Sequence, residues 1–139
     1  MNTSTPRTMQ PRDFTVNKTW LAYRINSLPI VVEDKEVDLY VLQDAASMFL
    51  FGNAFAPVGS DCPTLKEAER LMGSAQAKRD EWPNELLLPG KTETENSFAK
   101  VARQHGVIVR HVPESQLSFY IKDTQQGYEE FLGRGENDA

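Results

Sequence analysis

The sequence lacks the features of a membrane-spanning, secreted or disulfide-stabilised protein. No apolar run approaches the roughly 18 residues that a helix needs to cross a bilayer. The first residues, MNTSTPRTMQPRD, contain no apolar stretch of the kind that a secretory signal requires. Cys62 is the only cysteine in the 139 residues, which excludes an internal disulfide and favours a reducing compartment. The sequence therefore predicts a cytoplasmic protein that does not associate with membranes.

Basic residues are outnumbered and scattered. The chain has 15 Lys and Arg against 20 Asp and Glu, a net charge of −5 at pH 7. Sequence-independent binding to nucleic acid depends on Lys and Arg that neutralise phosphates, so this balance disfavours it. A local basic patch is still compatible with the composition, and Lys100, Arg103 and Arg110 lie close together along the chain. These three residues are the candidate contacts for nucleic acid.

The residues that usually carry enzyme chemistry form no recognisable constellation. His105, His111 and Cys62 match no zinc-ligand spacing. The glycines are isolated, so no glycine-rich phosphate loop is present. Cys62 stands in the segment SDCP, without a cationic neighbour or a helix start directly at the thiol, which predicts an unreactive loop cysteine. No cofactor is predicted.

What the chain does contain is an ordinary globular composition. Apolar residues make up 40% of it and charged residues 25%, and a single domain of this length buries roughly two-thirds of its unfolded surface. Residues 1–15 and 133–139 are poor in side chains that could pack, so we expect mobile tails there. The predicted organisation is a single domain over residues 16–132 between these tails.

The predicted fold is organised around residues 38–57, DLYVLQDAASMFLFGNAFAP. Two apolar runs, residues 39–43 and 48–56, flank the turn-prone residues 44–47, which predicts an antiparallel hairpin within a sheet. The second run is apolar on both faces, which is typical of a strand covered by helices on both sides. Gly52 indicates either a bulge or the close approach of a helix.

Helices and strands alternate after this hairpin. A strand over residues 20–25, an extended stretch at 29–32 and an exposed acidic loop at 33–36 precede it. Thr64 and Glu67 predict a capping box at the start of the first helix. Its predicted buried residues follow at helical spacing: Leu65, Ala68, Met72 and Ala75.

The second half of the chain continues the alternation. Short strands are predicted over residues 84–88 and 107–112. Between them, a helix is expected to start near Thr92, Thr94 and Glu95, to bury Phe98, Val101 and Ala102, and to end at His105 and Gly106. The last helix starts at Pro113 and buries Leu117, Ile121, Tyr128 and Leu132, and Gly127 is expected to divide it. This order predicts an α/β fold, a three-layer mixed sheet in ribonuclease-H-like order.

Three segments carry a more specific resemblance. The stretch VLQDAASMFLFG, residues 41–52, resembles the second-strand motif of retroviral-type integrase and transposase cores, in which an Asp-Ala-x-Ser turn precedes an apolar strand and a glycine. Residues 86–90, LLLPG, resemble the family's later strand and its Asp-Asn-Gly turn. Residues 105–107, HGV, resemble the His-Gly-Ile that ends the following helix. The resemblance extends over about residues 20–132 and implies a ribonuclease-H-like scaffold.

The resemblance also implies where a catalytic core would carry its three carboxylates, which hold two divalent ions. The first belongs in residues 20–25, where Tyr23 and its neighbours Ala22 and Arg24 offer no metal ligand. The second corresponds to Pro89, and the third falls near Glu129 or Glu130. One carboxylate of three cannot build such a site, because hard cations need several oxygen ligands.

By the same resemblance, Asp44 and Ser47 are turn positions and not metal ligands. We therefore predict a non-catalytic domain that dimerises or holds a protein partner through a sheet edge or a helix face. The alternative is a degenerate integrase-like domain that binds nucleic acid through Lys100, Arg103 and Arg110. Neither function is enzymatic.

Overall fold

The structure of the protein, a computed structural model, describes residues 8–26, 30–60, 62–90 and 96–137, with side chains up to residue 128. Over these residues the chain forms six strands and three α-helices. The strands are β1 (Thr19–Arg24), β2 (Ile30–Val32), β3 (Lys35–Asp44), β4 (Leu50–Pro57), β5 (Glu85–Pro89) and β6 (Ile108–Val112). The helices are α1 (Leu65–Arg79), α2 (Ser97–Gln104) and α3 (Ser118–Asn137). None of these helices combines the length and apolarity that crossing a bilayer requires.

All six strands belong to one mixed sheet with β3 near its centre. β3 pairs antiparallel with β4 along one edge and with both β1 and β2 along the other. β1 then pairs in parallel with β5, and β5 with β6. The order across the sheet is therefore β4-β3-β1-β5-β6, with β2 continuing the line of β1. The predicted hairpin and the αβ units that follow it are confirmed.

Two apolar cores lie on opposite faces of the sheet. Trp20 and Ala22 of β1 point into the core beneath α1 and α2. Leu21 and Tyr23, which alternate with them, point into the core beneath α3. The predicted three-layer architecture is confirmed, because a helical layer covers each face of the sheet.

β4 differs from the prediction that helices cover both of its faces. Phe51, Ala54 and Ala56 are buried, but Leu50 and Phe55 remain 38% and 45% exposed. The core beneath α3 contains no described side chain of β4, because α3 lies over the middle of the sheet and β4 forms its edge. β4 is thus an edge strand with one open face.

Gly52 shows both features that its position predicted. Phe51 is an extra residue between the pairs Leu42 with Gly52 and Gln43 with Leu50, so a bulge interrupts the ladder there. A Cβ atom at Gly52 would lie only 2.9 Å from Leu71 Cδ1 of α1. The glycine therefore permits the close approach of α1 to β4.

α1 begins as predicted but buries a different stripe. The Thr64 hydroxyl accepts a hydrogen bond from the Glu67 amide, at 3.2 Å. The Glu67 carboxylate does not complete a capping box, because it pairs with Arg70 at 2.9 Å. Leu65 is 40% exposed, which corrects its predicted burial, and Leu71 takes its place in the core.

The later helices also depart from the prediction in detail. The predicted helix-start residues 92–95 lie outside the described residues, and Asn96 caps α2 by accepting from the Phe98 amide. α2 ends at His105 and Gly106 as predicted. A short 3-10 turn, Glu114–Leu117, precedes α3, which continues through Gly127 without the predicted break, because i to i−4 hydrogen bonding tolerates an isolated glycine.

Both segments that were predicted as tails contain some regular structure. A 3-10 turn spans Pro11–Asp13, and Met9 and Phe14 on either side of it pack against the core beneath α3. The Met9 amide also donates to the Gln116 carbonyl, at 2.9 Å. At the other end, α3 runs to Asn137, beyond the predicted domain boundary at residue 132.

The corrected stripe of α1 yields a matched pair of substitutions. Leu71→Ala should lower the free energy of unfolding by about 2–5 kcal/mol, because it removes a buried side chain and leaves a cavity against β4. Leu65→Ala, on the same helix, should change it by less than about 0.5 kcal/mol, since this side chain is largely solvated. Urea unfolding followed by circular dichroism measures both, and equal losses would contradict the packing described.

Candidate functional site

Tyr23 lies in the strand, residues 20–25, to which the integrase resemblance assigns the first metal-binding acid. Its hydroxyl donates to Gln43 Oε1 at 2.6 Å and lies 2.7 Å from Thr124 Oγ1. Because a phenol carries one proton, the consistent arrangement has Tyr23 donating to Gln43 and accepting from Thr124. We name Tyr23, Gln43 and Thr124 the Tyr23 cluster. All three are buried, and together they join β1, β3 and α3.

The Tyr23 cluster is neutral, and its environment keeps it so. Burial raises the pKa of the Tyr23 hydroxyl far above its ordinary value, while the hydrogen bond to Thr124 opposes this shift. The Gln43 amide donates onward to the Met48 carbonyl at 2.9 Å. The interior at this position is therefore filled by a network of neutral hydrogen-bonded groups, and the nearby carboxylate of Asp123 lines the adjoining cleft.

Asp44 is fully buried, and protein donors surround its carboxylate. Oδ1 accepts a hydrogen bond from the backbone amide of Asn17 at 2.7 Å. Oδ2 accepts from the backbone amide of Ser47 at 2.8 Å and from the Ser47 hydroxyl at 2.6 Å. The backbone closes the same turn, since Asp44 N donates to Phe49 O and Met48 N donates to Asp44 O, both at 2.9 Å. These are the contacts of a turn-forming residue.

The structure does not bring Tyr23 and Asp44 together. Asp44 pairs with Trp20, whereas Tyr23 pairs with Val41 three residues further along β1, which corresponds to about 10 Å. Trp20 and Tyr23 also point to different faces of the sheet. Asp44 therefore cannot contribute to a site built around Tyr23.

Pro89 and Glu129 complete the positions that the resemblance implies. Pro89 ends β5 and pairs with Val112. The last parallel pair of β1 with β5 is Leu21 with Leu87. Extending this register by two residues places Pro89 at the level of Tyr23. Glu129 belongs to α3, but its side chain lies outside the described residues. Pro89 and Tyr23 thus lie at the same level of the sheet, and neither side chain carries a carboxylate.

The three candidate basic contacts do not form one surface. Lys100 and Arg103 are exposed on α2, which covers the same face of the sheet as α1. Arg110 is in register with Leu87, whose side chain points to the α3 face. Its guanidinium also forms an ion pair with Glu85, with Nε 3.2 Å from Oε1. The proximity of these three residues along the chain suggested one basic patch. The sheet separates Arg110 from Lys100 and Arg103, so they do not form it.

The other candidates have structural contacts. His105 stacks on Trp82 with ring centroids 4.0 Å apart, and Trp82 in turn packs against the buried Trp20. Cys62 Sγ accepts from the Ser97 amide at 3.3 Å, so the thiol lies at the start of α2, which the local sequence did not indicate. Within the described residues, no group of three His, Cys, Asp or Glu side chains is placed to hold a metal ion.

A cleft of about 510 Å³ opens beside the Tyr23 cluster, between the open face of β4 and α3. The Asn53 amide reaches across it and donates to the Tyr128 hydroxyl at 3.0 Å. The lining is mainly apolar and comes from two distant parts of the chain: Gln43, Met48, Leu50, Asn53, Asp123, Thr124, Gly127 and Tyr128. Sequence reasoning missed this cleft, because only the packing of α3 against the sheet creates it.

Comparison with known proteins identifies the fold. No family model matches the chain, and no curated protein matches it. Solved structures do match, among them the simian T-cell lymphotropic virus intasome in complex with the PP2A regulatory subunit B56 gamma, at 15% identity and a TM-score of 0.68. That match covers 97% of this chain and 46% of the other, so this chain spans about half of its length.

Two forms of the HTLV-2 integrase catalytic core domain in complex with magnesium are also similar. The dimeric form has 11% identity and a TM-score of 0.60, over 89% of this chain and 75% of the other. The trimeric form has 12% identity and a TM-score of 0.56, over 96% and 77%. The fold is therefore that of retroviral integrase catalytic cores, a ribonuclease-H-like fold. Identity this low establishes the fold alone.

The Tyr23 cluster can be tested by removing one oxygen. Tyr23→Phe should lower the free energy of unfolding by about 1–3 kcal/mol, because Gln43 Oε1 and Thr124 Oγ1 lose their buried partner. Tyr128→Phe is the matched control, and we expect a loss below about 0.5 kcal/mol because its hydrogen bond to Asn53 is exposed. Urea unfolding of both variants is the measurement, and a neutral Tyr23→Phe would contradict the network.

Alkaline titration tests the same environment without mutation. Burial raises the pKa of Tyr23 and of Tyr120, whose hydroxyl donates to the Ala45 carbonyl at 2.7 Å. Above about pH 10 the unfolded chain loses these protons while the folded chain keeps them, so the free energy of unfolding should fall as the pH rises. Absorbance at 295 nm should show at least two fewer tyrosinates at pH 11 in the native protein than in urea.

Complete native ionisation near pH 10 with an unchanged circular dichroism spectrum would contradict this assignment. In Tyr23→Phe, the decline of stability above pH 10 should be shallower than in the parent protein, because one of the two shifted groups is gone.

Proposed function

We propose that this protein is a non-catalytic interaction domain on a ribonuclease-H-like scaffold, which associates with itself or holds a protein partner. The Tyr23 cluster carries the proposal. A two-metal site needs several anionic oxygens around the ions, and here a neutral phenol takes the first of the implied positions and hydrogen bonds satisfy it. A cation placed there would displace a buried network of neutral groups.

The remaining implied positions add little to a metal site. Pro89 has no side-chain ligand, and the carboxylate of Asp44 is committed to Asn17 and Ser47 on the other face of the sheet. Among the three implied metal-ligand positions, only the third, Glu129 or Glu130, is a carboxylate. The matched scaffold therefore performs a role that does not require bound metal, and its placement in the cytoplasm is part of the same proposal.

Two observations support protein contacts. Leu50 and Phe55 expose apolar side chains on the open face of β4, next to the cleft along α3. The solved cores with this fold include a dimeric and a trimeric form, and the intasome is in complex with a regulatory subunit. Scaffolds of this kind thus support association, and we extend that property to this chain.

The edge of β4 is a poor candidate for this contact. Arg70 Nη2 donates to the Asn53 carbonyl at 3.0 Å, the bulge at Phe51 interrupts the strand, and Pro57 ends it. Edge strands of native proteins carry such features, which prevent pairing with another sheet. A side-chain surface is therefore favoured over the strand edge.

Nucleic-acid binding is the competing function. The division of Lys100 and Arg103 from Arg110 by the sheet, together with the net charge of −5, weakens it. Salt-dependent binding of short DNA or RNA that is lost in Lys100→Glu/Arg103→Glu would favour that function instead. We expect no binding of these probes even at low salt.

Metal dependence provides the direct test of the non-catalytic role. With Mg²⁺ or Mn²⁺ at millimolar concentration, the pure protein should leave single-stranded and duplex DNA and RNA intact. Its Tm should respond to either ion no differently from that of Glu129→Gln. Cleavage that requires the metal and disappears in Glu129→Ala would overturn the proposal.

A further inference from the structure

A positively charged aromatic surface lies where β3 turns into β4. The Phe49 ring is 47% exposed and contacts the buried Phe51 ring edge-on, with centroids 5.5 Å apart. The Arg79 guanidinium lies 5.2 Å from the centroid of the Phe49 ring, and the Lys78 ammonium lies 5.7 Å from it. Cation–π attraction holds both charges beside the ring. We name Phe49, Lys78 and Arg79 the Phe49 patch.

The charges of the Phe49 patch are not neutralised within the described part of the chain. No described carboxylate forms an ion pair with Lys78 or Arg79, although the protein carries a net charge of −5. An exposed ring between two unpaired cations is complementary to a surface that combines carboxylates with apolar side chains.

The chain itself presents such a surface at the tip of the β2–β3 hairpin. Val31 and Val32 are 67% and 37% exposed, and the exposed Glu33 and Asp34 form the turn. We name these four residues the acidic tip. None of the described cations forms an ion pair with Glu33 or Asp34.

The backbone of the acidic tip indicates that Glu33 serves more than the turn. Glu33 and Asp34 have φ angles of 52° and 65°, in the left-handed region that two-residue hairpins normally fill with Asn, Asp or Gly. Asp is tolerated there, whereas Glu is unfavourable. Backbone strain of this kind is retained mostly where a segment has a function.

The acidic tip and the Phe49 patch cannot meet within one molecule. The tip precedes β3 and the patch follows it, and the ten residues of β3 separate them by roughly 30 Å. Resting on the proposed interaction function, we propose that the acidic tip of one copy docks on the Phe49 patch of the next. Glu33 and Asp34 then pair with Lys78 and Arg79, and Val32, next to the turn, contacts the Phe49 ring.

This contact joins two different surfaces of the chain. After a single contact one copy keeps a free patch and the other keeps a free tip, so further contacts produce chains or closed rings, the smallest of which is a two-fold dimer with two reciprocal contacts. Both surfaces are small in comparison with the roughly 1,200–2,000 Å² of stable complexes, so the association is weak and sensitive to salt.

Charge reversal on each surface gives the test. Sedimentation velocity of the full chain at low salt should show a mass that rises with protein concentration above that of the monomer and returns to the monomer at high salt. Glu33→Lys/Asp34→Lys and Lys78→Glu/Arg79→Glu should each be monomeric alone, because tip and patch then carry the same sign. An equimolar mixture of the two variants should associate again, since unlike surfaces are restored.

A control variant carries the same change in net charge as Lys78→Glu/Arg79→Glu, at other positions. Lys66→Glu/Lys122→Glu alters two exposed lysines outside both surfaces and should associate like the parent protein. Circular dichroism of every variant confirms that the fold is retained, since all the altered side chains lie at the surface or at its margin.

Four outcomes would overturn the inference. One is a parent protein that stays monomeric up to about 1 mM at low salt. Others are association that persists in both single-surface variants, or a mixture of them that stays monomeric. The last is binding of DNA or RNA that Lys78→Glu/Arg79→Glu abolishes, which would assign the patch to nucleic acid. Persistent association would leave the interaction function standing, whereas metal-dependent cleavage would overturn that function and not this contact.

Discussion

The alternation of side chains along β1 is the constraint on which the rest of the structure depends. Trp20 and Ala22 build one core with α1 and α2, while Leu21 and Tyr23 build the other with α3. β1 lies between antiparallel β3 and parallel β5. A slip of β1 by one residue in this pairing would turn each of its side chains to the opposite face and disrupt both cores. The Asp44 turn holds this register, since the Asp44 carboxylate binds the Asn17 amide just before β1 begins.

The same alternation separates the residues that a sequence motif groups together. Asp44 serves the turn on the α1 side, whereas Tyr23 is buried on the α3 side. A scaffold can keep its architecture while the chemistry of one position changes, because architecture depends on apolar burial and chemistry on a few polar atoms.

Several elements could be predicted because their signals are local. The Asp44–Ser47 turn, the Thr64 cap and the glycine after α2 each rest on contacts within a few residues. The role of Gly52 could also be predicted, since a glycine within an apolar strand usually marks a bulge or the close approach of another element. The stripe of α1 was only partly correct, because the rotation of a helix about its axis depends on what it packs against, and Leu71 replaced Leu65.

The sequence by itself determined the order of elements, the layered sheet and the absence of an obvious catalytic motif, because periodicity and turn chemistry act over short distances. Only the tertiary structure decided that β4 has an open face, that Arg110 lies across the sheet from Lys100, and that Tyr23 bonds to Thr124. It also placed the acidic tip and the Phe49 patch at opposite ends of β3. Each of these facts joins residues that are distant along the chain, and only strand pairing and helix packing bring such residues into register.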